Sequence, residues 1–241
     1  MATKQRYYIQ SQQIREHTIK IEGEDVHHIK NVMRMKIHDT VFCFDEQGIV
    51  YESEIVAITD HILLAIKKQG QEHTELSKNI TIAQGLVRRE KVEEVIKRLV
   101  ELGCKEYIPV QMNRSIVKPI KDKTMRWETI IKEASEQSHR TSMMKVQQPI
   151  SWQDFFTYAR NYDCCLFAHL GEETPHLKTY LSTCKQDKVL IVVGPEGGFD
   201  QSEVINLKKH GFLPVGLGNR ILRTETAPLF IMSACSYELG E

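Results

Sequence analysis

The spacing of apolar side chains changes near residue 72. Before that point the chain alternates apolar and polar positions over short segments, at 40–44, 49–58 and 62–67, with turn-forming residues between them. Alternation with a period of two predicts half-buried strands joined by hairpins. The polar stretch 70–79 has no periodicity and is predicted to be a linker. We therefore expect residues 1–72 to form a small β-rich domain.

Strands and helices alternate after residue 72. Apolar runs predict short buried strands at 80–86, 107–112, 164–170, 189–193 and 212–217. Apolar side chains at helical spacing predict helices at 88–103, 124–138 and 224–239. A further helix begins at Asp200, which can form a capping box with Glu203, and ends at Gly211. Alternating βα units form parallel sheets covered on both faces, so residues 73–241 are predicted to be an α/β domain.

Composition excludes several classes of protein. The chain has 241 residues, of which 41% are apolar, and its 32 basic side chains balance 32 acidic ones. No apolar run approaches the roughly 18 residues that a membrane span needs, and the N-terminus lacks the apolar segment of a signal peptide. The six cysteines form no CxxC pair, and none lies near a histidine at zinc-ligand spacing. We expect a cytoplasmic globular protein with reduced thiols and no bound metal.

The first candidate site is the segment 192–199, VVGPEGGF, between a predicted strand and the capped helix. Its three glycines and one proline allow sharp turns and a close approach of the backbone to a ligand. Ligands of open α/β sheets bind at the carboxyl ends of strands, where this segment is expected. It matches neither the Walker A pattern nor GxGxxG, so neither a nucleoside triphosphate nor a dinucleotide is indicated. A tight turn without any ligand explains this segment, taken alone, equally well.

The second candidate site is the segment 215–227, VGLGNRILRTETA, which also follows a predicted strand and begins a helix. Two glycine-bearing segments at the ends of two consecutive strands favour one shared pocket. Arg223, Thr224, Glu225 and Thr226 would place polar side chains at a helix N-terminus, where main-chain N–H groups gather. For Glu225 the alternative is a simple interaction with the helix dipole.

Together these segments resemble a known family. GPEGGF, followed about twenty residues later by LGNRILRTETA, is similar to the SPOUT class of knotted methyltransferases. Within that class the chain resembles the RsmE family, which methylates N3 of a uridine in 16S ribosomal RNA. The early RYYI and HHIKNVMRMKIHDTV are similar to that family's PUA-like barrel. QGLVRREKVEEVIKRLVELG and EASEQSHR are similar to its central segments, so the resemblance covers nearly the whole chain.

The resemblance implies a fold, a cofactor and a partner. Residues 1–72 would be a PUA-like RNA-binding β-barrel, and 73–241 a SPOUT methyltransferase domain whose parallel sheet carries a trefoil knot. S-adenosylmethionine would bind in the knot, and a homodimer would pack through it, although the apolar helix 229–239 could equally be core. The cofactor site implied by the resemblance comprises Leu166, Ala168, Val193, Gly194, Pro195, Glu196, Gly197, Gly198, Leu217, Gly218, Ile221, Leu222, Arg223, Thr226 and Ala227.

Methylation of uridine N3 requires alignment of the two reactants and loss of the N3 proton. Negative charge that develops on the uracil ring is stabilised by a nearby guanidinium, so Arg140 and Arg223 are candidate catalytic residues. Glu136 and Glu196 are candidate proton acceptors, directly or through water. The alternative for Glu136 and Arg140 is a solvated helix end.

Basic side chains are distributed unevenly. Residues 71–160 carry 16 basic and 12 acidic side chains, and the excess is concentrated at 114–126. Such a run is usually a solvated face, but beside a pocket it suits phosphate binding. In the N-terminal domain, cationic and aromatic side chains are mixed in a way that suits phosphates and unstacked bases. The candidate RNA-binding residues are Arg6, Tyr7, His28, Lys30, Arg34, Lys36, Arg88, Arg114, Lys118 and Lys121.

Two other functions stay open from the residues themselves. The glycine-bearing segments could serve another nucleotide-binding α/β enzyme with a phosphorylated ligand, or the chain could be a non-catalytic RNA-binding relative of the same fold. The resemblance implies 16S ribosomal RNA, within the small ribosomal subunit, as the partner. No residue identifies the target nucleotide or its ring position without that resemblance.

Overall fold

The structure is a computed structural model that describes residues 6–117, 124–171 and 174–240. The chain divides into two compact units. The N-terminal unit comprises the residues up to Glu75 together with Ser135–Met143, and the C-terminal unit comprises the remainder. The sequence-based limits 1–72 and 73–241 stay a prediction. They did not assign 135–143 to the N-terminal unit, because nine residues at a helix end have no periodicity that identifies their neighbours.

The N-terminal unit is built on a six-stranded sheet with strand order β1-β4-β5-β6-β3-β2. Its strands are β1 (Arg6–Tyr8), β2 (Ile14–Arg15), β3 (Thr18–Ile21), β4 (Thr40–Phe44), β5 (Ile49–Ile58) and β6 (Ile62–Gln71). Strand β1 runs parallel to β4, and the other pairs are antiparallel. A short helix α1 (Glu24–His27) continues into a π-helical turn, His28–Val32. The hairpins predicted from the alternating pattern, β4 with β5 and β5 with β6, are confirmed.

Strand β6 extends beyond its predicted end. The stretch 70–79 was predicted to be a linker, but Gly70 and Gln71 pair with Val50 and Ile49 of β5. The prediction failed because backbone hydrogen bonds extend this hairpin while its side chains remain exposed, so no apolar alternation marks the extension.

The C-terminal unit contains a parallel sheet with strand order β10-β8-β7-β12-β11-β13, to which β9 adds beside β8. Its strands are β7 (Asn79–Gly85), β8 (Glu106–Gln111), β9 (Lys145–Val146), β10 (Ile150–Ser151), β11 (Cys164–Ala168), β12 (Lys188–Val193) and β13 (Leu213–Val215). The helices are α2 (Arg89–Glu101), α3 (Thr124–Gln137), α4 (Trp152–Ala159), α5 (Leu177–Leu181), α6 (Gln201–Lys209) and α7 (Thr226–Leu239). The predicted α/β class with a parallel sheet is confirmed. The chain passes between the two units after Glu75, after Ala134 within α3, and after Met143.

Helix positions follow from amphipathic spacing and from caps. The helical spacing predicts one apolar face comprising Val92, Val95, Ile96, Leu99, Val100 and Leu102, and in the structure the first five of these side chains are buried. Leu102 follows the last residue of α2 and is only half-buried. Helix α6 has the predicted capping box: Asp200 accepts a hydrogen bond from the Glu203 N–H at 2.8 Å, and Glu203 accepts one from the Asp200 N–H at 2.9 Å. Gly211 follows α6 with φ +81°, a conformation that favours glycine.

Helix α4 was missed by the sequence analysis, although its start is marked. Ser151 is its N-cap and accepts a hydrogen bond from the Asp154 N–H at 3.1 Å.

Within the described residues, no helix combines the length and the apolar composition that crossing a membrane requires.

Strand order places three chain segments at one edge of the parallel sheet. Strand β12 ends at Val193, β11 at Ala168 and β13 at Val215, and all three run parallel. Strand β11 lies between the other two. The carboxyl ends of these strands therefore bring the segments that follow Val193 and Val215 to the same edge, separated by one strand.

Gly85 lies at the end of β7 in close contact with the segment after β12. A Cβ at Gly85 would lie 2.5 Å from the Pro195 main-chain nitrogen. Because backbone cannot move aside cheaply, we expect Gly85→Ala to lower the free energy of unfolding by about 1–3 kcal/mol, measured by urea denaturation.

Gly216→Ala is the matched control, because its Cβ would meet no atom closer than 3.5 Å. Equal stability of the Gly85→Ala and Gly216→Ala variants would contradict the packing described.

Candidate functional site

Two glycine-bearing segments form the walls of one cavity of about 510 Å³ in the C-terminal unit. The first glycine segment (194–198) follows β12, and the second glycine segment (216–224) follows β13. The prediction that they share a pocket at the carboxyl ends of the strands is confirmed. The described residues that line it are Arg114, Ala168, His169, Leu170, Val193, Gly194, Pro195, Glu196, Gly197, Gly198, Phe199, Leu217, Arg220, Ile221, Leu222, Arg223, Thr224 and Ala227.

The cavity includes most of the predicted cofactor-site residues. Leu166, Gly218 and Thr226 were predicted but are not part of the lining. Leu166 is only 1% exposed because it lies inside the central part of β11. The predicted cofactor site did not include the lining residues Arg114, His169, Leu170, Phe199, Arg220 and Thr224. Phe199, Arg220 and Thr224 lie within the two glycine motifs, whereas Arg114 comes from a distant part of the chain. That the lining residues bind a cofactor stays a prediction at this point.

The backbone of the first glycine segment is tightly turned. The Gly198 N–H donates to the Pro195 carbonyl at 2.8 Å, and Gly198 has φ +67°, which favours glycine. A Cβ at Gly194 would lie 3.1 Å from the Phe199 main-chain nitrogen. Glycine at these positions therefore permits a turn that side chains would strain.

A set of hydrogen bonds, which we call the Gln84 network, joins the two glycine segments. The bonds made by Gln84 are buried, and the bond between Thr224 and Gly194 is partly buried. The Thr224 hydroxyl donates to the Gly194 carbonyl at 2.7 Å. The Gln84 side-chain amide donates to the Thr224 carbonyl at 2.7 Å and to the Thr224 hydroxyl at 3.1 Å. The Tyr107 hydroxyl donates to Gln84 Oε1 at 2.8 Å. The sequence signal for this network was a glutamine within an apolar strand, which the sequence analysis did not use.

Loop residues after β8 hold the first glycine segment from the other side. Arg114 donates from its guanidinium to the Gly197 carbonyl at 2.9 Å. The Asn113 N–H donates to Glu203 at 2.7 Å, which ties this loop to the start of α6. Hydrogen bonds from Ser202 and Asn113 lower the pKa of Asp200 to about 2. Arg114, predicted to bind RNA, thus lies on the cavity wall.

Charged groups at the cavity are partly paired. The Lys91 ammonium lies 3.6 Å from a Glu196 carboxylate oxygen and 3.1 Å from one of Glu225. Burial by itself raises the pKa of Glu225, but hydrogen bonds and the charge of Lys91 outweigh it, so this pKa is below its usual value. Among the described residues, Arg220 and Arg223 form no hydrogen bond through their side chains and no ion pair within 4 Å, although the charge of Arg223 helps to lower the pKa of Glu225. Both guanidinium groups therefore keep their donors available at the cavity.

Arg140 and Glu136, two predicted catalytic residues, belong to the N-terminal unit. Arg140 is 3% exposed, and its Nε donates to Glu75 at 3.2 Å. Glu136 is 8% exposed and accepts a hydrogen bond from the Tyr8 N–H at 2.9 Å. The alternative of a solvated helix end is therefore wrong, since both side chains are buried with polar partners. All the lining residues of the cavity belong to the C-terminal unit.

Two of the predicted RNA-binding residues are buried. Arg6 is 5% exposed and donates to the His139 carbonyl at 2.9 Å and to Glu72 at 2.8 Å. Tyr7 is 1% exposed, its hydroxyl lies 2.9 Å from His28 Nδ1, and burial raises its pKa. The prediction that Tyr7 suits an unstacked base is wrong for this conformation, because its ring belongs to the core of the N-terminal unit.

The other predicted RNA-binding residues differ in position. Lys30, Arg34 and Lys36 are exposed in the N-terminal unit, and Arg88 is exposed at the start of α2. Lys118 and Lys121 lie outside the described residues.

Within the described ranges, no group of three or more His, Cys, Asp or Glu side chains is arranged to hold a metal ion.

Comparison with known proteins finds relatives along most of the chain. The model of the family described as RNA methyltransferase domain matches residues 74–236, and that of the RNA methyltransferase PUA domain matches residues 21–68. A Bacillus subtilis protein named ribosomal RNA small subunit methyltransferase E is 39% identical, over 97% of this chain and 96% of its own. A Synechocystis protein of the same name is 29% identical, over 92% of this chain and 74% of its own.

A solved structure is similar over nearly its whole length. It is a ribosomal RNA small subunit methyltransferase E from Neisseria gonorrhoeae bound to S-adenosyl methionine. It is 26% identical to this chain, has a TM-score of 0.85 and covers 97% of each chain.

The Glu75–Arg140 ion pair makes stability depend on pH. Burial alone raises the pKa of Glu75, but hydrogen bonds and the charge of Arg140 outweigh it and hold the pKa below its usual value. A lowered folded-state pKa contributes stability above the unfolded pKa of about 4.3, and this stability is lost as pH falls through the folded value. We expect Glu75→Gln to cost about 1–3 kcal/mol at pH 7 and progressively less toward pH 3.

Hydrogen exchange of amides in the N-terminal unit, measured at both pH values, tests this. Glu22→Gln is the control, since Glu22 forms an exposed pair with Lys20. A cost of Glu75→Gln that stays constant between pH 7 and pH 3 would contradict the assigned role.

Proposed function

Because the chain belongs to the family of ribosomal RNA small subunit methyltransferase E, we propose that it transfers a methyl group from S-adenosylmethionine to N3 of one uridine in 16S ribosomal RNA. The observation that carries this proposal is that both glycine segments line the same cavity. The family match over 74–236 includes both segments. The same family membership weighs against an enzyme that uses these segments for a phosphorylated ligand.

The residues of the cavity fit this cofactor. A volume of about 510 Å³ is within the range of roughly 300–1,000 Å³ that small-molecule sites occupy. Ile221 lines the cavity and its side chain is 85% exposed. This exposed apolar side chain is available to contact the adenine ring of the cofactor. The glycine backbone leaves main-chain polar atoms accessible for a neutral base. We therefore assign Leu217, Ile221 and Leu222, with the first glycine segment, to the cofactor site.

Arg223 is the residue best placed to act on the substrate. The bound cofactor supplies an electrophilic methyl group on a sulfonium. Loss of the N3 proton leaves negative charge on the uracil ring, which a guanidinium with free donors stabilises. Arg223 has those donors, whereas Arg140 is engaged by Glu75. We assign proton acceptance to Glu196, directly or through one water, since it is a carboxylate on the cavity wall.

Two further features of the family are part of the proposal. A trefoil knot is supported by the path of the chain after β13, which is an edge strand. From there the chain returns past β11, and Thr224 forms hydrogen bonds with Gly194, which follows β12, and with Gln84 of β7. A homodimer is supported by α7, whose Tyr237 is 89% exposed and whose Phe230 is 37% exposed. With 16S ribosomal RNA as substrate, we place the protein in the cytoplasm, acting on the small subunit or its precursor.

The purified chain tests the proposed reaction directly. We expect calorimetry to detect binding of S-adenosylmethionine and not of ATP. Mass mapping of 16S ribosomal RNA that has been incubated with the protein and S-adenosylmethionine should show one uridine that is heavier by one methyl group and blocked at N3. Binding of ATP without S-adenosylmethionine, or methylation of another atom, would contradict the proposal.

Arg223→Ala separates chemistry from cofactor binding in the same assay. Loss of an anion-stabilising group lowers turnover by roughly 100-fold or more, while the Kd for S-adenosylmethionine should change only a few-fold. Lys209→Ala, on an exposed position of α6, is the control. Near-normal turnover of Arg223→Ala would remove this arginine from the mechanism.

An exposed basic segment of the N-terminal unit supports RNA docking. Lys30, Arg34 and Lys36 lie within the residues matched by the PUA family, 21–68. Val32, between Lys30 and Arg34, is 57% exposed, and Ile37, directly after Lys36, is 50% exposed, so the segment offers both cationic and apolar groups to a partner. The cations suit phosphates, and the Arg34 guanidinium can also stack on a splayed base.

We expect the triple variant Lys30→Ala, Arg34→Ala, Lys36→Ala to bind 16S ribosomal RNA more weakly. The slope of log affinity against log salt should become shallower by about 2 to 3, since each lost phosphate contact contributes roughly 0.7–0.9. The charge-matched control replaces Lys20, Lys67 and Lys68, which are exposed on β3 and β6 of the same unit. Equal salt slopes of the two triple variants would exclude this segment as the docking surface.

A further inference from the structure

We propose that Gln84 is a positioning residue for cofactor binding: its buried amide connects β7 to both glycine segments and sets the separation of the two cavity walls. This inference rests on the proposed function, since the cavity is taken to hold S-adenosylmethionine. Neither Gln84 nor Tyr107 lines the cavity. Gln84 would act on the ligand only through Thr224 and Gly194, which do line it.

The orientation of the Gln84 amide is determined by its partners. The Thr224 carbonyl can only accept a hydrogen bond, so the amide nitrogen of Gln84 must face it. The amide oxygen then faces the Tyr107 hydroxyl, which donates at 2.8 Å. Tyr107 is 1% exposed, and its burial raises its pKa, so this donor keeps its proton. Only one orientation of the Gln84 side-chain amide therefore satisfies both partners.

The network fixes two main-chain carbonyls of the cavity wall. Thr224 uses its hydroxyl to donate to the Gly194 carbonyl while it accepts from Gln84, and Gln84 also holds the Thr224 carbonyl. One carbonyl belongs to each glycine segment. Because the strands that lead into the two segments are separated by β11, their ladder hydrogen bonds do not join the segments directly. The Gln84 network supplies a direct connection.

Fold stability alone does not require a glutamine at this position. Gln84 is 0% exposed in a strand whose neighbours Ile82 and Ala83 are also fully buried. A buried amide with satisfied hydrogen bonds contributes little more to stability than a well-packed apolar side chain. What an apolar residue cannot do is hold the carbonyls of both segments in one geometry. A preformed cavity lowers the ordering that ligand binding would otherwise require.

The experiment compares four single variants and one double variant of the full chain by calorimetry with S-adenosylmethionine, by thermal unfolding without ligand and by steady-state methyl transfer. Gln84→Met and Thr224→Val each remove hydrogen bonds of the network while preserving side-chain size. Thr224→Ser keeps the hydroxyl. Thr81→Val is the matched control, because Thr81 is 2% exposed in the same strand but bonds Tyr162, away from the glycine segments.

We expect Gln84→Met and Thr224→Val each to raise the Kd for S-adenosylmethionine roughly 10-fold. Thr224→Ser should stay within about two-fold of the wild-type Kd, since it keeps the hydroxyl bond. The double variant Gln84→Met, Thr224→Val should lose no more affinity than the weaker-binding single variant, because both act on one network. Turnover at saturating cofactor should fall much less than kcat/KM for the cofactor. Thr81→Val should lower the unfolding temperature without changing the Kd.

Unchanged Kd values in Gln84→Met and Thr224→Val, with unfolding temperatures lowered as in Thr81→Val, would overturn the proposal and leave Gln84 a residue of the fold alone. Additive losses in the double variant would also overturn it. If Gln84→Met does not fold, the contrast between Thr224→Val and Thr224→Ser decides. Failure of the wild-type chain to bind S-adenosylmethionine would instead remove the proposed function, and this inference with it.

Discussion

The hydrogen bond from the Thr224 hydroxyl to the Gly194 carbonyl joins two segments that the sheet itself keeps apart. Strands β12 and β13 are not neighbours, because β11 lies between them. A wall built from two separated strand ends needs a connection that ladder hydrogen bonds do not provide. Here that connection is partly buried, and the buried side chains of Gln84 and Tyr107 support it through further hydrogen bonds. The shape of the cavity, and hence any chemistry performed in it, depends on this contact.

The distribution of paired and unpaired cations separates structural arginines from those available for chemistry. Arg140 is buried against Glu75, and Arg6 is buried against Glu72 and a main-chain carbonyl. Both cations are therefore engaged in holding the N-terminal unit together. Arg223 lies at the cavity with its donors unused by the described residues. A guanidinium that is already satisfied has little to offer a developing anion, which is why the chemistry is assigned to Arg223.

Sequence reasoning succeeded where the signal is local. The capped helix α6, the amphipathic helix α2 and the apolar strands of the parallel sheet each follow from spacing and end residues within one segment. The two glycine segments were recognised for the same reason, and parallel strand ends brought them to one edge. Their shared cavity therefore followed from the sequence.

What failed depends on contacts between distant parts of the chain. Tyr7 has the residue type of a base-stacking group, and only the packing of the N-terminal unit shows that it is buried. The return of 135–143 to that unit and the Gln84 network have no periodic signature. A polar residue in a buried strand indicates that a partner exists, but the partner's identity is set by tertiary structure.

The proposed function requires both glycine segments to close around one cofactor. Hydrogen exchange with and without S-adenosylmethionine measures it most directly, by following the amides of 196–198 and of 217–224 within one sample. We expect the cofactor to slow exchange in both segments together, while amides of β5 in the N-terminal unit keep their rates. Slowed exchange in one segment alone, or in neither, would contradict it.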